Sequence, residues 1–474
     1  MKDGHNPWLM ALLLLSLLFA AVSINFSWVQ GHHNSDTLLL PLISIERYTP
    51  YYWGDNRYGM LVPLLATPIR DYVWNTLFQT QILTLAAFGC VVAFHVWYLR
   101  PKPAFDVEAL SGACLSVVLI LLVLRPTPRT AEIFVLAHPY LLSLLPVLIA
   151  AGVLLRSQWR LPARLLLPFA ALLAAFWINR SMAPLALALV AVLPAAMPYI
   201  KSVPVRLASL AIVVTAAVLA FAYGAGFPGS DATALVPLQT VPSAVAALAT
   251  KTAEHIVHPF RLAVLLVAAA LVCKRVGHSI DTLIFLSLAV GLAAAMASLK
   301  WVQAGQFEPR YWTSPLALVL LPSAAAVSQL VLRVLGPETA GKIVSALGLL
   351  LAAVLGFGIP SPGTARHTVV SASAVHQRGI IALRCTHFVG NYAAGWQAAF
   401  HQRATRPEKS LHALTMRAEV LANQWNAVPP DLRVYCGLCG DPEREFYEHH
   451  FGLPKMKLIG KSDGICVYEP SASW

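Results

Sequence analysis

Asp36 lies about seven residues past a long apolar run, Trp8–Val29. A carboxylate at the edge of such a run, partly desolvated, is suited to act as a general base on an acceptor hydroxyl or amide. Asn34-Ser35-Asp36 is also a helix N-cap signal for Thr37–Ile45, so a capping role competes with the catalytic one. Further along the same segment comes Trp53-Gly54-Asp55-Asn56-Arg57-Tyr58-Gly59. Its glycines allow close backbone approach, its aromatics suit sugar rings, and Asp55 and Asn56 suit hydroxyls, with the cation Arg57 beside them. The competing reading is a loop packed at the membrane interface, where Trp and Tyr collect. Three later segments offer partners. Glu132 follows Arg125 and Arg129, as a second acid, a metal ligand or an Arg partner; His258 follows the amphipathic region Val241–Ile256; Lys300 precedes Arg310-Tyr311 at the mouth of an apolar run. A guanidinium in that position suits a lipid-linked phosphate, although cations snorkelling from helix ends look the same.

The elements that must position these residues are set by composition. Of 474 residues, 58% are hydrophobic and 12% charged, with mean hydropathy +0.66. Soluble domains carry roughly 25% charge, so an ordinary cytosolic enzyme, a disordered chain and a coiled coil are excluded. Eleven apolar runs are candidate spans: Trp8–Val29, Thr76–Leu99, Ala109–Leu124, Phe134–Leu155, Leu165–Ile178, Ser181–Ile200, Leu207–Phe227, Phe260–Cys273, Thr282–Leu299, Trp312–Leu332 and Ile343–Ile359. The first is expected to be an uncleaved helix, since no clean small-x-small site precedes Gln30. With the N-terminus inside, the short loops bearing Arg100/Lys102, Arg156/Arg160/Arg164, Lys201/Arg206, Lys274/Arg275 and Arg333/Lys342 are cytoplasmic. The net charge of +12 is then explained by topology and anionic membrane lipid rather than by nucleic acid, for which no binding motif appears. The spans themselves hold almost no charge, which argues against ion-coupled transport.

Residues 1–360 carry 35 charges and residues 361–474 carry 21. The sequence therefore predicts a transmembrane domain over 1–360 and a small soluble α/β domain over 361–474 on the extracytoplasmic side. Strands are expected at Gly379–Arg384, Leu432–Tyr435, Lys457–Ile459 and Ile465–Tyr468, with a helix over Glu408–Trp425. Cys90, Cys114 and Cys273 fall in apolar runs and are expected in the core. Cys385, Cys436, Cys439 and Cys466 all fall in the terminal domain, an even number that suits two disulfides with three possible connectivities. A redox Cys436-Gly-Leu-Cys439 pair and a zinc site with His449/His450 are the other readings of these residues.

The whole pattern resembles the GT-C superfamily of integral-membrane glycosyltransferases, which use polyprenyl-phosphate-linked sugars. The resemblance rests on Asp36 shortly after the first span, the Trp53–Gly59 segment, the outer-loop acid Glu132, the late Arg310-Tyr311, and an extracytoplasmic terminal domain. Phe388-Val-Gly-Asn-Tyr-Ala-Ala-Gly-Trp396 is similar to a Gly-x-Tyr-x-x-x-Trp stretch of some bacterial members. The resemblance implies an all-α polytopic fold of about eleven transmembrane helices with a small terminal α/β domain. It implies inversion at the sugar C1, with Asp36 as acceptor base and Arg310, aided by Arg57 or Lys300, stabilising the departing phosphate. Asp55, Glu132, His258 and Tyr311 complete the implied substrate-binding set. The partners implied are a polyprenyl-phosphate sugar, a cell-envelope glycan or lipid acceptor, and membrane lipids; members differ in whether they use a divalent cation such as Mg or Mn. The neighbours of Asp36 are Ser35 and Thr37 rather than the paired acids of some families, which leaves the subfamily open. An O-antigen polymerase or ligase and a lipid-linked-glycan flippase are the alternative functions.

Overall fold

Asn6 begins the first helix by accepting a hydrogen bond from the Leu9 amide, with Pro7 at its first position, where a missing N–H costs nothing. The computed structural model describes residues 6–30, 32–53, 58–98, 105–125, 127, 130, 138–156, 161–187, 189, 203–227, 235–276, 279–304, 311, 313–356, 360–406 and 411–470. From that start the chain forms α1 (Pro7–Ile24), α2 (Ser35–Ile45), α3 (Leu61–Ala66), α4 (Tyr72–Ala93), α5 (Val107–Val123), α6 (His138–Arg156) and α7 (Leu161–Ile178). It continues with α8 (Val203–Ala225), α9 (Val241–His255), α10 (Pro259–Val276), α11 (Ser279–Ala297), α12 (Lys300–Ala304), α13 (Thr313–Leu335) and α14 (Pro337–Gly356). The long helices fall on the predicted apolar runs within a few residues. Only the first part of the Ser181–Ile200 run lies within the described residues. Four segments, Pro7–Ser27, Tyr72–Val96, Leu207–Ala225 and Thr313–Leu335, are long and apolar enough to cross a membrane, and other apolar helices are 10–17 residues long.

The terminal segment forms α15 (Pro362–Ala372), α16 (Gln377–Ala382), β1 (His387–Val389), α17 (Tyr392–Thr405), β2 (His412–Leu414), α18 (Ala422–Asn426), β3 (Tyr435–Leu438), α19 (Glu443–His450), β4 (Met456–Ser462) and β5 (Ile465–Pro470). The strands make one mixed sheet in the order β2-β1-β3-β5-β4. β1 runs parallel to β2 and β3, and β5 antiparallel to β3 and β4.

The chain divides into two compact units. The first comprises Met1–Val29, Asn56–Gly59 and Gln81–Ile359; the second comprises Gln30–Asp55, Met60–Thr80 and Pro360–Trp474. The first unit is a helical body whose main apolar cluster includes Leu13, Phe94, Leu110, Leu144, Phe176 and Phe285, with a smaller one around Val123, Ile256 and Leu320. Cys90, Cys114 and Cys273 are buried and outside the disulfides, as expected of core residues. In the second unit the sheet has an apolar cluster on each face. Phe388, Leu411, Cys436 and Val467 lie on one face, and Val389, Leu414, Tyr435 and Tyr468 on the other.

Three expectations for the terminal segment are corrected. The strand expected at Leu432–Tyr435 starts only at Tyr435, because Pro430–Leu432 forms a tight 3-10 turn. Gly379–Arg384 is not a strand but contains most of α16. Gly379 lets this helix approach β4, because a Cβ there would stand 2.3 Å from the Ser462 carbonyl oxygen. Glu408–Trp425 is not one helix. Leu411, just before β2, and Leu414, at its end, have a helical spacing but pack into the apolar clusters on opposite faces of the sheet, because an odd spacing along extended chain changes face. The disulfides are Cys385–Cys436 and Cys439–Cys466, so Cys436 and Cys439 do not pair with each other and neither is available to zinc.

Candidate functional site

Asp36 occupies the first turn of α2, and the capping role belongs to its neighbour. The Asn34 side chain accepts from the Thr37 amide at 3.1 Å, and the Thr37 hydroxyl accepts from the Asn34 amide at 3.0 Å. With the cap supplied by Asn34, the Asp36 carboxylate turns to side chains of the second unit. Its Oδ1 accepts from the Tyr392 hydroxyl at 2.7 Å and from the Tyr52 hydroxyl at 3.2 Å. The Arg417 guanidinium lies 3.7 Å from the same oxygen. It donates to the Tyr392 oxygen at 2.6 Å, with its carbon 4.3 Å from the centroid of the Tyr52 ring and 5.3 Å from that of Tyr392. Asp36 nevertheless keeps 24% of its side-chain surface exposed. Burial and then the Asp36 charge push both phenols well above the ordinary tyrosine range. Tyr52 and Tyr392 therefore stay protonated at physiological pH and serve as hydrogen-bond donors to the carboxylate.

Local sequence explains this placement. The turn before α17 reads Gly390-Asn391-Tyr392. Gly390 has φ +118°, and a Cβ there would stand 2.2 Å from an Asp441 carboxylate oxygen. That oxygen accepts the Asn391 amide at 2.6 Å, and the Asn391 side chain caps α17 by accepting from Ala394 N at 3.1 Å. Tyr392 is thus set at the head of the helix. One turn later, Trp396 is buried against Trp53 with ring centroids 5.7 Å apart and donates to the Met416 carbonyl at 3.2 Å, next to Arg417. The predicted Gly-x-Tyr-x-x-x-Trp stretch therefore acts as a bracket.

A second polar cluster stands at the other ends of the same helices. Glu46, at the C-terminus of α2, accepts from Arg403 at 2.7 Å, from Gln424 at 3.0 Å and from Tyr72. Burial works to raise the Glu46 carboxyl, but Arg403 and these hydrogen bonds outweigh it and hold it below the ordinary carboxylate range.

The other predicted site residues fall into two groups. Asp55, Arg57, Glu132 and Arg310 lie outside the described residues. His258, Lys300 and Tyr311 belong to the first unit, where the connecting segments are stitched together. The His258 amide donates to the Val123 carbonyl at 2.8 Å, and Arg125 donates through Nε to the Val257 carbonyl at 2.9 Å. Val236 N donates to the Ser298 carbonyl at 2.9 Å, just before exposed Lys300. Tyr311 is buried. Among the described residues, no three His, Cys, Asp or Glu side chains are grouped to hold a metal ion. Sequence reasoning missed Arg417 and the roles of Tyr52, Tyr392, Glu46 and Arg403. The Gly-x-Tyr-x-x-x-Trp stretch marks the segment that holds Tyr392, and the Asn391 cap before it is a further local signal; nothing near Arg417 marks it.

The arrangement is a carboxylate at the head of a helix, fed by two phenols and a guanidinium, within a predominantly helical membrane protein with a small mixed-sheet unit. No protein family is matched by the sequence, and no curated protein matches it. Among solved structures the chain is similar to ArnT from Cupriavidus metallidurans. Against its crystal structure bound to undecaprenyl phosphate the TM-score is 0.48 at 11% identity, and against the apo structure 0.45 at 10%. Each alignment covers 99% of both chains.

Proposed function

We propose that the chain is a polytopic membrane glycosyltransferase of the GT-C kind. It moves a sugar from a polyprenyl-phosphate donor to a cell-envelope glycan or lipid acceptor on the extracytoplasmic face, with inversion. The observation that carries the reading is the Asp36 cluster: a partly exposed carboxylate, shortly after the first apolar helix, in reach of two phenolic donors and a guanidinium. The two disulfides of the terminal segment support an oxidising compartment for it, and the cation-bearing short loops support eleven crossings with the terminal segment outside.

In this reaction the acceptor hydroxyl attacks the sugar C1 and a new C1–O bond forms. The bond from C1 to the lipid phosphate oxygen breaks, and the phosphate leaves with the electron pair. Asp36 takes the acceptor proton. Lys300 and Arg310 are assigned to the phosphate, where cations offset the charge of the leaving group. Asp55, Arg57, Glu132, His258 and Tyr311 are assigned to sugar and acceptor.

The test supplies the protein, reconstituted in proteoliposomes, with three radiolabelled donors: a polyprenyl-phosphate sugar, a nucleotide sugar and a polyprenyl-diphosphate oligosaccharide. The reading expects transfer from the first alone, with free polyprenyl phosphate released in equal amount. Consumption of the diphosphate oligosaccharide alone points to a polymerase or ligase. Movement of an intact lipid-linked sugar across the bilayer points to a flippase. Either result overturns the proposal.

A further inference from the structure

Arg417 is held in an unusual way for a residue in a surface turn. Its φ is +77°, a left-handed conformation that is unfavourable for a residue with a Cβ. The turn that imposes this is pinned on both sides. Trp396 fixes the Met416 carbonyl, and the Arg47 guanidinium donates to the Val420 carbonyl at 2.7 Å. Backbone strain retained at a site with polar partners invites a functional explanation, and here the partners supply one. The guanidinium stacks over Tyr52, donates to Tyr392, and stands 3.7 Å from Asp36 with only 17% of its side-chain surface exposed. Among the described residues, the groups facing Asp36 include Tyr52 from the segment before α3, Tyr392 from α17, and Arg417 from the turn after β2.

We propose that Arg417 is a positioning residue for the sugar-transfer reaction. It holds Asp36 as a carboxylate, and, through Tyr392, holds it in one rotamer. The terminal segment is thereby a working part of the base rather than only a platform for the acceptor. This rests on Asp36 being the base. Arg417 neither gives nor takes a proton: it donates to the Tyr392 oxygen, whose own proton is directed to Asp36. A cation at this distance favours the ionised acid, and a phenol polarised by a guanidinium is a stronger donor to it.

The experiment compares wild type with Arg417→Met, Arg417→Lys and Arg417→Gly in the full-length protein in proteoliposomes, measuring kcat, KM for the polyprenyl-phosphate sugar, the pH profile of kcat, and Tm. Arg417→Met is expected to lower kcat by roughly 10–100-fold, the scale of a misaligned reacting group, with KM within about threefold. The acidic limb of its profile is expected to move to higher pH, because the cation 3.7 Å from the carboxylate is gone. Arg417→Lys restores the limb but only part of kcat, because an ammonium keeps the charge without the stacked, forked geometry. Arg417→Gly relieves the left-handed strain, so it matches the kcat loss of Arg417→Met without a matching fall in Tm. An unmoved limb with kcat within twofold of wild type in Arg417→Met overturns the proposal. So does a kcat loss across the three variants that tracks Tm alone. Asp36→Asn, measured alongside, separates the two layers. If it keeps wild-type turnover, the base assignment and the role of Arg417 fall together. If it is inactive while Arg417→Met behaves as wild type, only the role of Arg417 falls.

Discussion

Asp36 and Gly390 were both present in the sequence pattern, for different physical reasons. Asp36 was legible because a carboxylate beside a long apolar run is rare and has few uses. The competing capping role was resolved by Asn34, whose side chain takes the cap bond. Gly390 was legible only as part of a short motif, and the structure supplies its cause: φ +118° and an Asp441 oxygen where a Cβ would stand. Gly390→Ala is therefore expected to cost about 1–3 kcal/mol of stability and to displace Tyr392 from Asp36. Thermal unfolding in detergent should show the first effect, and reduced kcat the second. Arg417 was not legible, because its partners come from residues 52, 36 and 392, and its turn has no local signature.

Helices α2 and α17 carry both polar clusters. Asp36 meets Tyr392 at their N-terminal ends and Glu46 meets Arg403 at their C-terminal ends, so the helices run parallel in register. Ten residues separate the acids on α2 and eleven separate Tyr392 from Arg403, spans of about 15 and 16 Å at ~1.5 Å per residue. Arg403 is 6% and Glu46 15% exposed, so removing one leaves the other charge buried. Arg403→Met is expected to destabilise the second unit by about 3–5 kcal/mol. Replacing both Arg403 and Glu46, as Arg403→Met with Glu46→Gln, should cost less than the single change, as denaturant titration would show. The sheet adds a pH dependence. His387 and His412 are neighbours on β1 and β2, with rings 5.4 Å apart, and burial lowers both to about 4. Their unfolded forms bind protons near pH 6.5 while the folded forms do not. Stability should therefore be intact above pH ~6.5 and fall toward pH ~4, by at most about 1.4 kcal/mol per pH unit for each histidine. Glu46 acts on the acid side of that window: its carboxyl is depressed, so its contribution is lost as pH falls below the ordinary carboxylate range. His387→Phe should flatten the slope of Tm against pH between 6.5 and 4. The α2 cap was legible because capping chemistry is local. β2 was not, because Leu411 and Leu414 reveal their opposite faces only once the sheet is assembled.

At the scale of the whole molecule, the apolar runs were legible because a bilayer-spanning helix is a demand on composition and length alone. The even set of terminal cysteines foretold two disulfides, but their pairing depended on strand order. Cys385–Cys436 ties the start of β1 to β3, and Cys439–Cys466 ties the end of β3 to β5. Reduction is expected to lower the stability of the second unit by about 2–4 kcal/mol per bridge, seen as a drop in Tm on adding reductant. The division of the chain was less legible. The second unit takes in Gln30–Asp55 and Met60–Thr80 as well as the terminal segment, so Asp36, Tyr52, Tyr392 and Arg417 share one folded unit although up to 381 positions separate them. The central claim, that Asp36 is the base of a lipid-phosphate sugar transfer, is tested most directly by single-turnover transfer in proteoliposomes preloaded with a labelled polyprenyl-phosphate sugar. Asp36→Asn is predicted to bind the donor as wild type does and to transfer its sugar at least 100-fold more slowly, within the ~10²–10⁴ contributed by a general base. Transfer at the wild-type rate by Asp36→Asn would contradict it.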